Sequence, residues 1–107
     1  ALMDLYHSTN GTNWYDQDHW LDPNISECDW YGVTCSDDAS AAASAADVVI
    51  RLDLSVNNLS GSLPSSLQYL TELGKLFLQN NYLEGSLLDG TVLSSMSKLQ
   101  ALVLDGN

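Results

Sequence analysis

Leu52-Asp53-Leu54-Ser55-Val56-Asn57-Asn58-Leu59-Ser60-Gly61-Ser62-Leu63-Pro64 returns 24 residues later as Leu76-Phe77-Leu78-Gln79-Asn80-Asn81-Tyr82-Leu83-Glu84-Gly85-Ser86-Leu87. Leu102-Val103-Leu104-Asp105-Gly106-Asn107 begins the same pattern a third time. Self-similarity at a fixed period of this length marks a stack of coils, each burying its leucines only against its neighbours. About three coils are usually needed for stability. A sequence that reaches only the start of its third is expected to be a piece of something longer.

Within the first coil, Val48-Val49-Ile50 leads into a strand. Leu52 and Leu54 then alternate with Arg51, Asp53 and Ser55, the period of a half-buried strand. Leu63, Leu67, Leu70 and Leu73 follow at spacings of three or four, which suits a helical or 3₁₀ return path. Leu87, Leu93, Met96 and Leu99 are their counterparts in the second coil. Two extra residues fall within Leu88-Asp89-Gly90-Thr91, where Pro64 has no counterpart, so that coil is expected to bulge on its outer side. Asn57, Asn81 and Asn107 recur behind the strands and are expected to point inward as a structural ladder, bonding backbone groups of adjoining coils. Leaving such buried partners unsatisfied costs roughly 1–3 kcal/mol.

Upstream, residues 1–35 hold all three Trp, both Cys and both His. Leu2, Leu5 and Tyr6 at helical spacing predict the end of a short amphipathic helix. Asn10-Gly11 and Asp22-Pro23-Asn24 are turn signals, and Trp14 and Trp20-Leu21 between them are too apolar for a free loop. Residues 36–47 are a low-complexity Ala/Ser/Asp stretch without an apolar stripe, read as a flexible insertion. Residues 48–107 carry two repeats and the start of a third.

The formal net charge is −11, with 14 acids against three basic residues. Such a surface repels a polyanion, which argues against nucleic-acid binding. No run approaches the roughly 18–20 apolar residues that cross a bilayer, so no membrane contact is expected within this chain, and no signal peptide is visible. Cys28 and Cys35, six residues between them, fit a disulfide, half of a metal site or two buried thiols. Zinc sites usually pair cysteines two to four apart and need further ligands. Catalytic readings are poorly served. Asp16-Gln17-Asp18-His19 begins like a calcium loop, but Trp20 and Leu21 stand where an acid and a glycine should follow. No spacing around His7 or His19 suggests an activated nucleophile. Neither enzymatic activity, nor a cofactor, nor a metal is expected.

Leu59-Ser60-Gly61-Ser62-Leu63-Pro64 resembles the L-x-G-x-[IL]-P segment of plant-type leucine-rich repeats. Cys28-Asp29-Trp30-Tyr31-Gly32-Val33-Thr34-Cys35 resembles the C-x-W-x-G-V-x-C end of the N-terminal cap of that family. The resemblance covers nearly the whole chain apart from residues 36–47. It implies an α/β fold: a right-handed solenoid with short parallel strands on its concave face and a helical N-terminal cap over residues 1–35, truncated at the C-terminal end. It also implies that Cys28 and Cys35 are disulfide-bonded, hence an oxidising, extracellular or cell-surface setting.

Members of the family include ectodomains of receptor-like kinases, receptor-like proteins and secreted inhibitors of cell-wall hydrolases. The expected function is therefore recognition without chemistry. A protein or peptide ligand is the first expectation, with cell-wall carbohydrate or a hydrolase as alternatives. A kinase domain would lie beyond this chain. The recognition surface implied is the outward set on each strand: Arg51, Asp53, Ser55 and Val56; Lys75, Phe77, Gln79 and Asn80; Ala101, Val103 and Asp105. Phe77, the only Phe, reads either as an interface anchor beside Lys75 or as an aromatic packed on its sheet neighbours Asp53 and Val103. Asn10, Asn24 and Asn58 head glycosylation sequons, in keeping with secretion.

Overall fold

The computed structural model describes residues 2–36, 48–85 and 90–107. Most of the expected insertion (37–47) and the start of the expected bulge (88–89) lie outside these residues.

The leucine alternation produces a four-stranded sheet in the order β1, β2, β4, β6, formed by Val33–Cys35, Val49–Asp53, Lys75–Phe77 and Ala101–Val103. β2, β4 and β6 are parallel, with Leu52 opposite Leu76 and Leu76 opposite Leu102. A side-chain period of two sends this whole leucine row to one face, where Leu52, Leu54, Leu76 and Leu78 are fully buried. Each such leucine contributes roughly 1.5–3 kcal/mol of burial. The ladder outlasts the strands: the Leu54 and Leu78 amides donate to the Phe77 and Val103 carbonyls at 2.9 Å each. On the far side of the repeats, β3 (Ser60–Gly61) and β5 (Tyr82–Leu83) pair as a second, two-stranded parallel sheet.

Two short helical segments close the repeats. A 3₁₀ turn, Ser65–Tyr69, starts directly after Pro64, and α2, Gly90–Ser95, takes its place in the second repeat. Leu63, Leu67 and Leu73 are buried from the first repeat, and Val92 and Met96 from the second. Val92, rather than its neighbour Leu93, takes the fully inward position, because one residue along a helix turns a side chain by about 100°.

The N-terminal segment is built differently. Helix α1, Leu2–Ser8, buries Leu2, Leu5 and Tyr6 on one face. It ends where the Thr9 amide and hydroxyl both donate to the Leu5 carbonyl and Asn10 adopts a left-handed conformation (φ 56°). Trp14, Trp20 and Trp30 cluster with Tyr6: Trp14 meets Trp20 edge-on at a centroid separation of 4.8 Å, and Trp30 lies tilted against Trp20 at 5.0 Å. Each indole N–H donates to a backbone carbonyl: Trp14 to Thr9, Trp20 to Tyr31 and Trp30 to Ile25. Burial of these large rings therefore leaves no donor stranded.

β1 then pairs antiparallel with β2, with a bulge between Thr34 and Cys35. Cys28, in the 3₁₀ turn Glu27–Asp29, is disulfide-bonded to Cys35, their Cα atoms 5.4 Å apart. Gly32 permits the approach of this segment to β2. Its φ is 81°, and a Cβ there would strike the Asp53 carbonyl oxygen. The tryptophans and the repeat leucines belong to one continuous core.

Candidate functional site

Opposite the buried leucines, the sheet presents an open face. The registers place Arg51, Lys75 and Ala101 in one row and Asp53, Phe77 and Val103 in the next. Beyond the strands, the Val56 amide donates to the Gln79 carbonyl and the Asn80 amide to the Asp105 carbonyl, at 3.0 Å each. Those bonds carry Ser55, Gln79 and Asp105 on as a third row. The structure thus brings the outward residues of all three repeats onto one continuous surface.

Its centre is Phe77, half-buried between Asp53 and Val103. The Arg51 guanidinium lies 5.2 Å from the ring centroid, a cation–π contact. Arg51 also reaches Asp53 at 3.6 Å, but both side chains are well exposed, so this pair adds little stability. Asp53 is held from its other side by the Ser55 hydroxyl at 2.7 Å and the Ser55 amide at 3.2 Å. Ser55, Asp53, Arg51 and Phe77 are therefore a connected patch whose rotamers are mutually constrained.

At the lower rim, the residue before each ladder asparagine is left-handed: Val56 at φ 51°, Asn80 at 60° and Gly106 at 81°. Gly and Asn tolerate this conformation, whereas a β-branched residue is strained in it. Val56 is 62% exposed there. Nothing in the one-dimensional pattern marks this row, since its side chains share no chemistry.

Asn57 and Asn81 are buried, and all three ladder asparagines bridge neighbouring segments. Asn81 accepts from the Asn57 and Leu59 amides (2.8 and 3.1 Å) and donates to the Leu54 and Leu78 carbonyls (2.9 and 3.0 Å). Asn107 accepts from the Leu83 amide and donates to the Leu78 and Leu104 carbonyls. Asn57 exchanges both kinds of bond with the Asp16 backbone, at 2.7 and 2.8 Å. These two bonds tie the N-terminal segment to the first repeat.

The three sequon asparagines differ sharply. The Asn10 side-chain amide donates to the Ser60 hydroxyl and that of Asn58 to the Asn13 carbonyl. Asn24 is exposed and makes no side-chain hydrogen bond among the described residues, which leaves its nitrogen open for modification.

Charge is unevenly spread over this surface. At the N-terminal end, Tyr31 lies near Asp16, Asp53 and Asp18. Desolvation, and after it the three carboxylates in that order, push its hydroxyl above the ordinary value of 10.0. At the edge where β2, β4 and β6 begin, a groove of about 340 Å³ is bordered instead by Arg51, Lys75 and Lys98. Lys98 is absent from the outward set expected of the strands. It precedes β6 and reaches the groove only because the sheet edge gathers the strand starts. His7 and His19 are both exposed, and among the described residues no cluster of His, Cys, Asp and Glu is placed to hold a metal ion. Among the same residues no helix is long and apolar enough to cross a membrane.

Residues 49–70 match the Leucine Rich Repeat family. Over 92 residues the chain is 33% identical to phytosulfokine receptor 1 of Arabidopsis thaliana, a match covering 84% of this chain and 8% of that protein. In structure it is similar to the BIR2 ectodomain of Arabidopsis thaliana: the TM-score is 0.80 at 29% identity, over 99% of this chain and 53% of that one. A chain of the BIR3–SERK2 complex from the same plant is similar at TM-score 0.68 and 26% identity, covering 100% of this chain and 56% of its own. The chain thus spans about half the length of these ectodomains and under a tenth of the curated receptor.

Proposed function

We propose, since the chain is a leucine-rich repeat protein of the plant receptor-like ectodomain type, that it is the N-terminal part of a surface that recognises a protein or peptide. The fold it shares with these ectodomains is a recognition scaffold and carries out no chemistry. Residues 48–107 are read as repeats of a right-handed solenoid whose parallel strands line the concave side. Residues 1–35 are read as the cap that seals its first repeat, with Cys28–Cys35 stapling the cap to the sheet edge. The binding set is Arg51, Asp53, Ser55, Lys75, Phe77, Gln79, Asn80, Val103 and Asp105. The observation that carries this reading is the constrained patch around Phe77 on a sheet face left open by its own fold. An aromatic and an arginine at the centre of a polar rim are the residue types that dominate protein interfaces.

A disulfide favours an oxidising compartment, which agrees with placement at the cell surface alongside such ectodomains. The parent protein is proposed to be a receptor-like kinase, as the resemblance to phytosulfokine receptor 1 suggests. The complex in which one structural neighbour occurs supports a protein as partner. The test is to display the chain as bait against an array of extracellular domains and secreted peptides from the same source. Phe77→Ala and Asp53→Ala should each abolish or weaken a captured interaction, while Tyr69→Ala, on the exposed return path, leaves it intact. Interactions that depend on Tyr69 and ignore Phe77 would overturn the reading.

A further inference from the structure

The chain has three basic residues against 14 acids, and all three border the groove where β2, β4 and β6 begin. Random placement on so acidic a surface would scatter them among carboxylates. Instead Arg51 and Lys75 stand directly opposite each other across parallel strands, and Lys98 joins them from the residues before β6. Like charges directly opposite in a sheet are destabilising. Among the described residues neither lysine has an ion-pair partner, and Arg51 has only Asp53 at 3.6 Å. Among the described residues Glu72 is the one acid bordering the groove, which leaves that lining positive. The fold thus keeps a local cationic cluster that costs stability when the groove is empty.

We propose that this groove is a docking site for an acidic peptide segment of a partner protein, its carboxylates held by Arg51, Lys75 and Lys98. The proposal rests on the reading of the chain as a protein-recognition module and names the chemistry of one part of the ligand. A groove of about 340 Å³ accommodates a few side chains, not a helix or a duplex. The net charge of −11 disfavours a long polyanion, which would have to lie along the acidic remainder of the surface. Acidic sugars fit less well, because sugar rings stack on aromatic faces and among the described residues no aromatic borders the groove. Phe77, the nearest aromatic on the face, has Arg51 over its ring. Exposed Ile50 and the Gln100 amide supply what a peptide needs beside its carboxylates: an apolar contact and a partner for main-chain groups.

The test measures binding of the 107-residue chain to a fluorescein-labelled hexaglutamate peptide by anisotropy, at low and at physiological salt. Saturable binding that weakens as salt rises is expected, because the groove cations are exposed and screened. The double variant Lys75→Gln with Lys98→Gln should lose about tenfold or more in affinity. Removing like charges should leave that variant at least as resistant to urea as the parent, so the loss is not unfolding. Met3→Glu with Thr12→Glu makes the same change in net charge on exposed residues away from the groove and should bind within about twofold of the parent.

Absence of saturable binding at millimolar chain, or equal losses in the two double variants, would overturn the proposal. So would hexagalacturonate or inorganic phosphate binding as tightly as the peptide. A chain that binds a partner through Phe77 yet ignores hexaglutamate loses only the groove. A chain that binds neither loses the recognition reading as well.

Discussion

Residues 1–35 and residues 48–107 share one hydrophobic core but reach it by opposite means. In the repeats, equivalent leucines and asparagines meet at a constant offset, and one pattern specifies every contact. In the N-terminal segment no single interval specifies the contacts. Tyr6, Trp14, Trp20 and Trp30 meet at angles that range from edge-on to near-parallel, and each indole finds a different backbone carbonyl. The segment nevertheless joins the first repeat through backbone groups for Asn57 and an antiparallel strand for β2. Repeats can pack against a wholly irregular segment provided it satisfies the donors, acceptors and apolar surface they present to it.

The largest test of this comparison is Trp20→Ala, expected to cost about 3–5 kcal/mol, matching or exceeding Leu76→Ala at about 2–5 kcal/mol. Since both side chains lie in one core, unfolding followed by tryptophan fluorescence and by circular dichroism should coincide in the parent. A fluorescence transition at lower denaturant would divide the molecule into two units. Next is Asn81→Ala, which strands the Asn57 and Leu59 amides at a cost of roughly 1–3 kcal/mol. Asn80→Ala removes an exposed side chain from a left-handed residue and should cost clearly less. Equal urea midpoints for the two would contradict the ladder.

A smaller effect of opposite sign is expected at Val56. Replacing it by Asn, the residue its counterpart in the next repeat uses, should stabilise the chain by about 1 kcal/mol. An unchanged or lower melting temperature would mean that the Val56 strain is relieved elsewhere. The smallest effect concerns Tyr31. Its folded pKa is raised, first by desolvation and then by Asp16, Asp53 and Asp18, so the folded state holds this proton more tightly than the unfolded chain. The associated stability is fully present below the unfolded value of 10.0 and is lost as pH rises through the higher folded value. Tyr31→Phe should therefore flatten the decline in urea resistance above that pH. It should also remove an absorbance step above pH 10.0 from an ultraviolet titration.

The strands β2, β4 and β6, the buried leucine row and the positions of Asn57, Asn81 and Asn107 were all legible, because each repeats at a fixed interval. The edge strand β1 and the second sheet of β3 and β5 were not. Segments of three and two residues are too short to display a period. Val92 was passed over for Leu93 because two apolar neighbours in a short helix cannot be ranked without its rotation. On the open face, the outward residues could be named from alternation alone. That Arg51 covers Phe77 and that Ser55 restrains Asp53 could not, since these depend on rotamers.

By itself the sequence determined the repeat, the inward leucines of each strand, and the acidic balance of the surface. These are properties of interval and composition. Tertiary structure decided which residues become neighbours across strands. It joined Lys98 to Arg51 and Lys75, placed three dissimilar residues in one left-handed row, and tied Asn10 and Asn58 into hydrogen bonds while leaving Asn24 open. Adjacency across a sheet depends on strand register and on where each return path ends, and neither is carried by any one stretch of chain.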